Sequence, residues 1–178
     1  MRKVYLIAVL LLFFAGYVFS ASRMERLLAT GDDLLLPLAP VDPRALLMGD
    51  YMDLDYTLNA TIRAAVKNSP RGRERREPSL TAYSGYAVVK VADSPVPRAA
   101  SFVRLDNGDP LGEGEYLLRF KVRGERVITA SGAWYFQEGH ARQYEEARYG
   151  RVKIAENGKT LLVALCDAAG MDIPTGRE

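Results

Sequence analysis

The sequence predicts a mainly β protein of the α+β class: an N-terminal transmembrane helix, then one antiparallel β domain carrying one or two short helices. Three observations lead there. An uncharged apolar run from Val4 to Ser22 opens the chain behind Arg2 and Lys3. Apolar and polar residues alternate with a period of two in several later stretches, as they do on a half-buried strand. Finally, Glu156-Asn157-Gly158-Lys159 separates two short apolar segments, the pattern of a tight hairpin.

Val4 to Ser22 is nineteen residues long. At a rise of about 1.5 Å per residue a helix of that length reaches about 28 Å, close to the ~30 Å of bilayer hydrocarbon. The alternative is a cleaved secretory signal with Ser20-Ala21-Ser22 as its small-residue site. The run exceeds the length of a usual signal core, and Arg23 and Arg26 close its far end, so an anchor through residues 4–22 is the reading adopted. Arg2 and Lys3 on so short a tail favour a cytoplasmic N-terminus and a body outside the cytoplasm.

The chain has 178 residues, 48% of them hydrophobic, which is ordinary globular composition and argues against disorder. Arg2 and Lys3 account for the whole formal charge of +2, because residues 23–178 hold 22 basic and 22 acidic side chains. A neutral body gives no reason to expect nucleic acid. One cysteine allows no internal disulfide and no Cys-rich metal site.

Residues 1–22 thus form the membrane segment, 23–41 an apolar, Pro-punctuated connector, and 42–178 a single β-rich domain outside the cytoplasm. Asp42-Pro43 through Gly49 reads as a short helix, with Asp as cap, Pro in the first turn and Gly at the end. A strand is expected from Met52, where Met52, Leu54, Tyr56 and Leu58 alternate with Asp53, Asp55, Thr57 and Asn59. Residues 67–78 form a polar loop with five basic and two acidic residues. Strands follow over 83–91, 101–105, 116–122, 126–131, 151–155 and 160–165, the last two joined by a type I′ turn at Asn157-Gly158. Between Gly139 and Gly150 a helix is expected over His140 to Tyr149, sharing a face among Ala141, Tyr144, Ala147 and Arg148 and pairing Arg142 with Glu146.

At Gly49-Asp50-Tyr51-Met52-Asp53-Leu54-Asp55-Tyr56 the chain resembles the bacterial GDYxxLxY proteins, and all five named letters match at Gly49, Asp50, Tyr51, Leu54 and Tyr56. The resemblance extends upstream through Pro40 to Arg44 with Leu46 and Leu47. Downstream it takes in Trp134-Tyr135-Phe136-Gln137-Glu138-Gly139-His140-Ala141, then Tyr144 and Ala147-Arg148-Tyr149-Gly150. It covers residues 40 to 166, the middle by layout more than by letter. It implies a protein of the bacterial inner membrane with no accepted catalytic residues and a polytopic membrane partner.

The chemistry in these blocks has two readings. Asp50 is either a carboxylate bonding backbone N–H groups at a strand start, or a general base or a ligand. Tyr51 and Tyr56 fall on opposite faces of a strand, with Tyr56 the core candidate and Tyr51 exposed or at an interface. Gln137-Glu138-Gly139-His140 is the densest polar cluster, yet with a single His no familiar metal spacing occurs, and no metal or cofactor is expected. No oriented serine nucleophile is present either. Arg148 can hold Glu138 or Asp50, or receive an anion.

The expected function is therefore a membrane-anchored periplasmic accessory protein that docks on a polytopic partner without catalysis of its own. The rival is a small envelope hydrolase or ligand-binding protein using Asp50, Glu138, His140 and Arg148, for an unknown small molecule.

Overall fold

The computed structural model describes residues 2–39, 51–69, 83–92, 96–137 and 140–174. Helix α1 (Arg2–Thr30) is followed after Gly31 by β1 (Asp32–Pro37), and the short β2 (Tyr51–Asp53) leads into α2 (Thr57–Asn68). Then come β3 (Tyr83–Ala92), β4 (Ala99–Leu105), β5 (Glu115–Arg123), β6 (Arg126–Ile128) and β7 (Ala133–Tyr135). One 3-10 turn over Ala141–Tyr144 precedes β8 (Tyr149–Ile154) and β9 (Thr160–Cys166). Seven strands form a curled sheet in the order β6-β5-β3-β4-β1-β8-β9, and β2 pairs with β7 in a separate ribbon. Every pair in both sheets is antiparallel except β1 with β4.

Helix α1 is long and apolar enough to cross a membrane, and its side chains from Tyr5 to Phe19 are exposed on all sides. It does not stop at Ser22. Eight more residues, Arg23 to Thr30, continue it for about 12 Å. Its last turn closes on the joining residue: Gly31 N–H donates to Leu27 O at 2.9 Å, and Leu27 is buried. Lys153 Nζ on β8 donates to Gly31 O at 3.1 Å and to Asp33 Oδ2 at 2.8 Å. Arg98 adds a third tie. Its Nε donates to Asp33 O, its Nη2 to Tyr116 Oη at 3.2 Å, and its carbonyl accepts Leu35 N–H at 3.0 Å. Among the described residues Arg98 is the only non-glycine with positive φ, +61°, a conformation costing ~1–2 kcal/mol that these bonds offset.

The connector expected over 23–41 is thus replaced by helix and by a central strand. In β1, Leu34 and Leu36 enter the main core while Leu35 packs on the other face with Val96 and Cys166. A strand buried on both faces reads as a continuous apolar run and shows no alternation, so Leu34-Leu35-Leu36 gave no strand signal.

The expected long strand from Met52 also needs correction. Alternation holds through Tyr56, but β2 ends at Asp53 and a helix begins at Thr57. Leu58, Ile62 and Val66, spaced by four, line the buried face of α2. The helix start is fixed by Asp55, whose Oδ1 accepts Tyr56 N–H at 2.8 Å and Asn59 Nδ2 at 2.7 Å. Asn59 Oδ1 then accepts the Thr129 hydroxyl at 2.9 Å, and Thr129 O accepts Thr160 Oγ1 at 2.9 Å. This polar chain ties α2 to the residue after β6 and to the start of β9. Arg119 N–H bonds Gly158 O at 2.9 Å, so the sheet curls until the β8–β9 turn reaches β5.

That turn is a hairpin, but not of type I′. Gly158 N–H donates to Ala155 O and Ala155 N–H to Lys159 O. Only Gly158 has positive φ, +75°, and Asn157 does not. The geometry is a type I turn closed by a glycine bulge. The helix expected over His140–Tyr149 shrinks to one 3-10 turn, because Arg148 is recruited to the sheet: its N–H bonds Cys166 O and its O accepts Leu38 N–H. No ion pair joins Arg142 to Glu146 among the described residues. The helix expected over 42–49 lies outside the described residues, as does the polar loop from residue 70; Lys67 and Asn68 belong to α2.

Replacing Asn59 by alanine strips partners from Thr129 Oγ1 and Asp55 Oδ1. The Asn59→Ala variant is expected to unfold in urea with ~1–3 kcal/mol less stability than wild type.

Candidate functional site

The two sequence blocks singled out above meet in space. Strand β2 pairs with β7, placing Tyr51 opposite Tyr135, Met52 opposite Trp134 and Asp53 opposite Ala133. Met52 and Leu54 are buried with Tyr144, Leu165 and Ile173 in a second small core, flanked by Trp134, Phe136 and Ala147. Tyr144 sits between two rings, 6.1 Å from Trp134 edge-on and 5.2 Å from Phe136. Tyr144 therefore owes its place to packing.

Tyr56 and Gly150 form the tightest link. Tyr56 is 1% exposed, and its hydroxyl donates to Ser131 O at 2.9 Å. A Cβ on Gly150 would stand 3.1 Å from both Tyr56 Cε1 and Leu162 Cδ1. Glycine at 150 thus lets the ring lie against β8. Burial, followed by the nearby Asp55 carboxylate, drives the Tyr56 phenol well above the ordinary tyrosine range, so it is a neutral donor throughout the physiological range. Tyr149, next to it, is half-buried and packs on the cluster of Leu35, Val96 and Cys166.

The side chains of the described polar candidates, Gln137, His140 and Arg148, do not join this arrangement. Gln137 is exposed, and its carbonyl accepts His140 N–H at 3.1 Å. His140 is half-buried and makes no side-chain hydrogen bond among the described residues. Arg148 is exposed, and its Nη1 is held by the carbonyls of Glu145 at 3.3 Å and Ala147 at 3.0 Å. Gly49, Asp50, Glu138 and Gly139 lie outside the described residues. Among those described, no group of three or more His, Cys, Asp or Glu could hold a metal ion.

Beside the exposed Asp53 and Asp55, the ribbon leaves two aromatic rings at the surface. Tyr51 is 44% exposed and Tyr135 76%, and their rings stack across the ribbon at 5.8 Å between centroids. This division, Tyr56 inside and Tyr51 outside, is the one expected from alternation.

The family profile described as GDYXXLXY protein matches residues 11–165, most of the chain. The chain belongs to the GDYXXLXY family. Within it, the described motif residues Leu54 and Tyr56 serve the second core and the main core. Comparison with the curated proteins and with the solved structures gives no match.

Sequence reasoning missed Lys153, Arg98, Asn59 and Thr129, which hold the architecture together from outside any motif. It also gave Cys166 no role. That thiol is fully buried and donates to Asp172 Oδ1 at 3.3 Å. Burial first, and then this hydrogen bond, pushes its ionisation up to about 12.

Two outcomes follow from this geometry. Tyr56→Phe is expected to cost ~1–2 kcal/mol by leaving Ser131 O unpaired, and Gly150→Ala ~1–3 kcal/mol by overpacking. Tyr51→Ser is expected to cost less than ~1 kcal/mol; urea titration of the three variants checks the ranking. For Cys166, the folded state favours the neutral thiol. Its stabilising contribution is complete below the ordinary thiol range, near pH ~8.5, and fades as pH climbs through that range towards 12. Native protein at pH ~8.5 is expected to resist iodoacetamide and to react only when unfolded, as mass measurement of the alkylated chain would show.

Proposed function

We propose that this GDYXXLXY protein is a single-pass accessory subunit of the bacterial inner membrane, which docks on a multi-span partner and carries out no catalysis itself. Helix α1 crosses the membrane with its N-terminus in the cytoplasm, and the body stands in the periplasm. Arg2 and Lys3 before an uncharged run to Ser22 support this orientation by the positive-inside preference.

The observation that carries the reading is the join at Gly31. A domain that needed only to stay near lipid would be served by a flexible linker. Here a single residue, Gly31, separates α1 from β1, and Lys153 bonds its carbonyl and the Asp33 carboxylate of β1. Such a join holds the body at a set height and angle over the membrane, which matters when another protein must be met there. Tyr51 and Tyr135 supply an exposed aromatic pair of the kind enriched at interfaces. Nothing in the placement of His140 or Arg148 favours the rival hydrolase.

The test is recovery of the tagged full chain in mild detergent. A multi-span protein is expected to accompany it, and recovery of the monomer alone contradicts the proposal. A second variant addresses the join. Five Gly-Ser residues inserted after Thr30 are expected to leave membrane fractionation and far-ultraviolet circular dichroism unchanged while reducing partner recovery at least about fivefold.

A further inference from the structure

The outward face of the β5–β6 hairpin carries a row of unpaired cations. Along β5, Tyr116, Leu118, Phe120 and Val122 face the main core, which leaves Arg119, Lys121 and Arg123 exposed on the other side. Arg126 on β6 is exposed as well and lies directly opposite Arg123. Their other cross-strand neighbours are Tyr86 for Arg119, and Ser84 and Ile128 for Lys121, none of them acidic. In the described body Arg63, Lys67, Lys90, Arg142, Arg148 and Lys159 are scattered cations without an ion pair, whereas four others pair with carboxylates: Arg98 with Asp32, Arg104 with Glu115, Arg151 with Asp172, Lys153 with Asp33. None of the four ridge cations does. Like charges facing each other across strands are destabilising, so the Arg123–Arg126 pair is a standing cost that a counter-charge from outside would relieve.

Protection of a sheet edge is the bland explanation for such charges. Their distribution argues against it. The edge strand β6 holds one of the four, while the other three lie on β5, and Lys121 there is paired on both sides. The opposite edge strand, β9, runs Thr-Leu-Leu-Val-Ala-Leu-Cys with no charge at all.

The direction of the row argues against lipid as the counter-charge. Arg119 N–H bonds Gly158 O in the β8–β9 turn, and β8 ends at Ile154 beside Gly31, where α1 meets the sheet. The other end of the row lies at the Gly124-Glu125 turn, where Glu125 O accepts Arg63 Nη1 of α2 at 3.4 Å. Helix α2 in turn starts at the far end of β1, where Thr57 Oγ1 bonds Leu38 O at 3.3 Å. The row therefore climbs from the anchored end of the body towards the opposite end, and a flat bilayer could meet only its foot.

Resting on the accessory-subunit reading, we infer that this ridge is the docking face for an extended acidic segment in the periplasmic part of the membrane partner. Successive cations on β5 lie two residues apart, about 7 Å, which is also the spacing of alternate side chains on an extended chain. A segment with Asp or Glu at every second position would match the ridge charge for charge.

The test uses the full chain in nanodiscs of neutral phosphatidylcholine, with a labelled dodecapeptide of alternating Glu and Thr as the probe. Anisotropy is expected to show binding that weakens as salt rises. The double variant Lys121→Glu/Arg123→Glu is expected to bind at least about tenfold more weakly, with unchanged circular dichroism. Lys67→Glu/Arg142→Glu, an equal charge change off the ridge, is expected to bind like wild type. Absence of binding, equal loss in both double variants, or ridge-dependent flotation with phosphatidylglycerol vesicles in place of peptide binding overturns the inference. Recovery of the multi-span partner with the ridge variant as fully as with wild type also overturns it, yet leaves the accessory reading standing. If wild type recovers no such partner, that reading falls, and the peptide result alone decides the ridge.

Discussion

The join between the long apolar helix and the sheet is braced by one ammonium group. Lys153 Nζ, reaching from β8, bonds the carbonyl of Gly31 and the carboxylate of Asp33. It spans the point where an apolar helix becomes a strand. On one side, Gly31 N–H is bonded to the last turn of α1; on the other, Arg98 bonds the carbonyl of Asp33. A charge hydrogen-bonded to the joining residue and to the strand after it resists bending better than apolar contact alone, because hydrogen bonds are directional. Tilt of α1 would therefore be handed to β1, the strand that joins the two halves of the seven-stranded sheet.

Within the body, the family motif reads as a folding device. Leu54 and Tyr56 are spent on two cores, and Tyr56 needs glycine at 150 to lie against β8. At Tyr56 one ring, one hydroxyl acceptor and one missing Cβ coincide. Tyr51 is different. It lies on β2, just before Leu54 and Tyr56, contributes little to either core, and meets Tyr135 at the surface. The division separates what the motif does for the fold from what it leaves available to a partner.

Much of this was legible in the chain. The membrane-length helix, the strands β3, β4, β5, β6, β8 and β9 and the hairpin at Gly158 follow from uncharged length, alternation and turn chemistry. The failures have physical causes. Leu34 to Leu36 face two cores at once, which removes the alternation that marks a strand. Leu58 continues the period of two begun at Met52 and also starts the four-residue spacing of α2, so the change of element at Thr57 is masked by one residue that fits both. Arg148 has a helix-compatible neighbourhood, yet its backbone is taken by Leu38 and Cys166, partners over 15 residues away in sequence. For the site, sequence found the two blocks but not their contact. Neither the register of β2 on β7 nor the Asp55–Asn59–Thr129 chain has a local signature.

The most direct measurement of the rigid join is the distance between spin labels placed at Arg26 on α1 and Lys121 on β5, with the full chain in lipid nanodiscs. A fixed body gives one narrow distance distribution, which stays narrow in lipids of different headgroup and broadens when Lys153 is replaced by methionine. A wide or multi-peaked distribution in the otherwise wild-type chain would mean that the body swings freely on its anchor, and the account given for its position would be wrong.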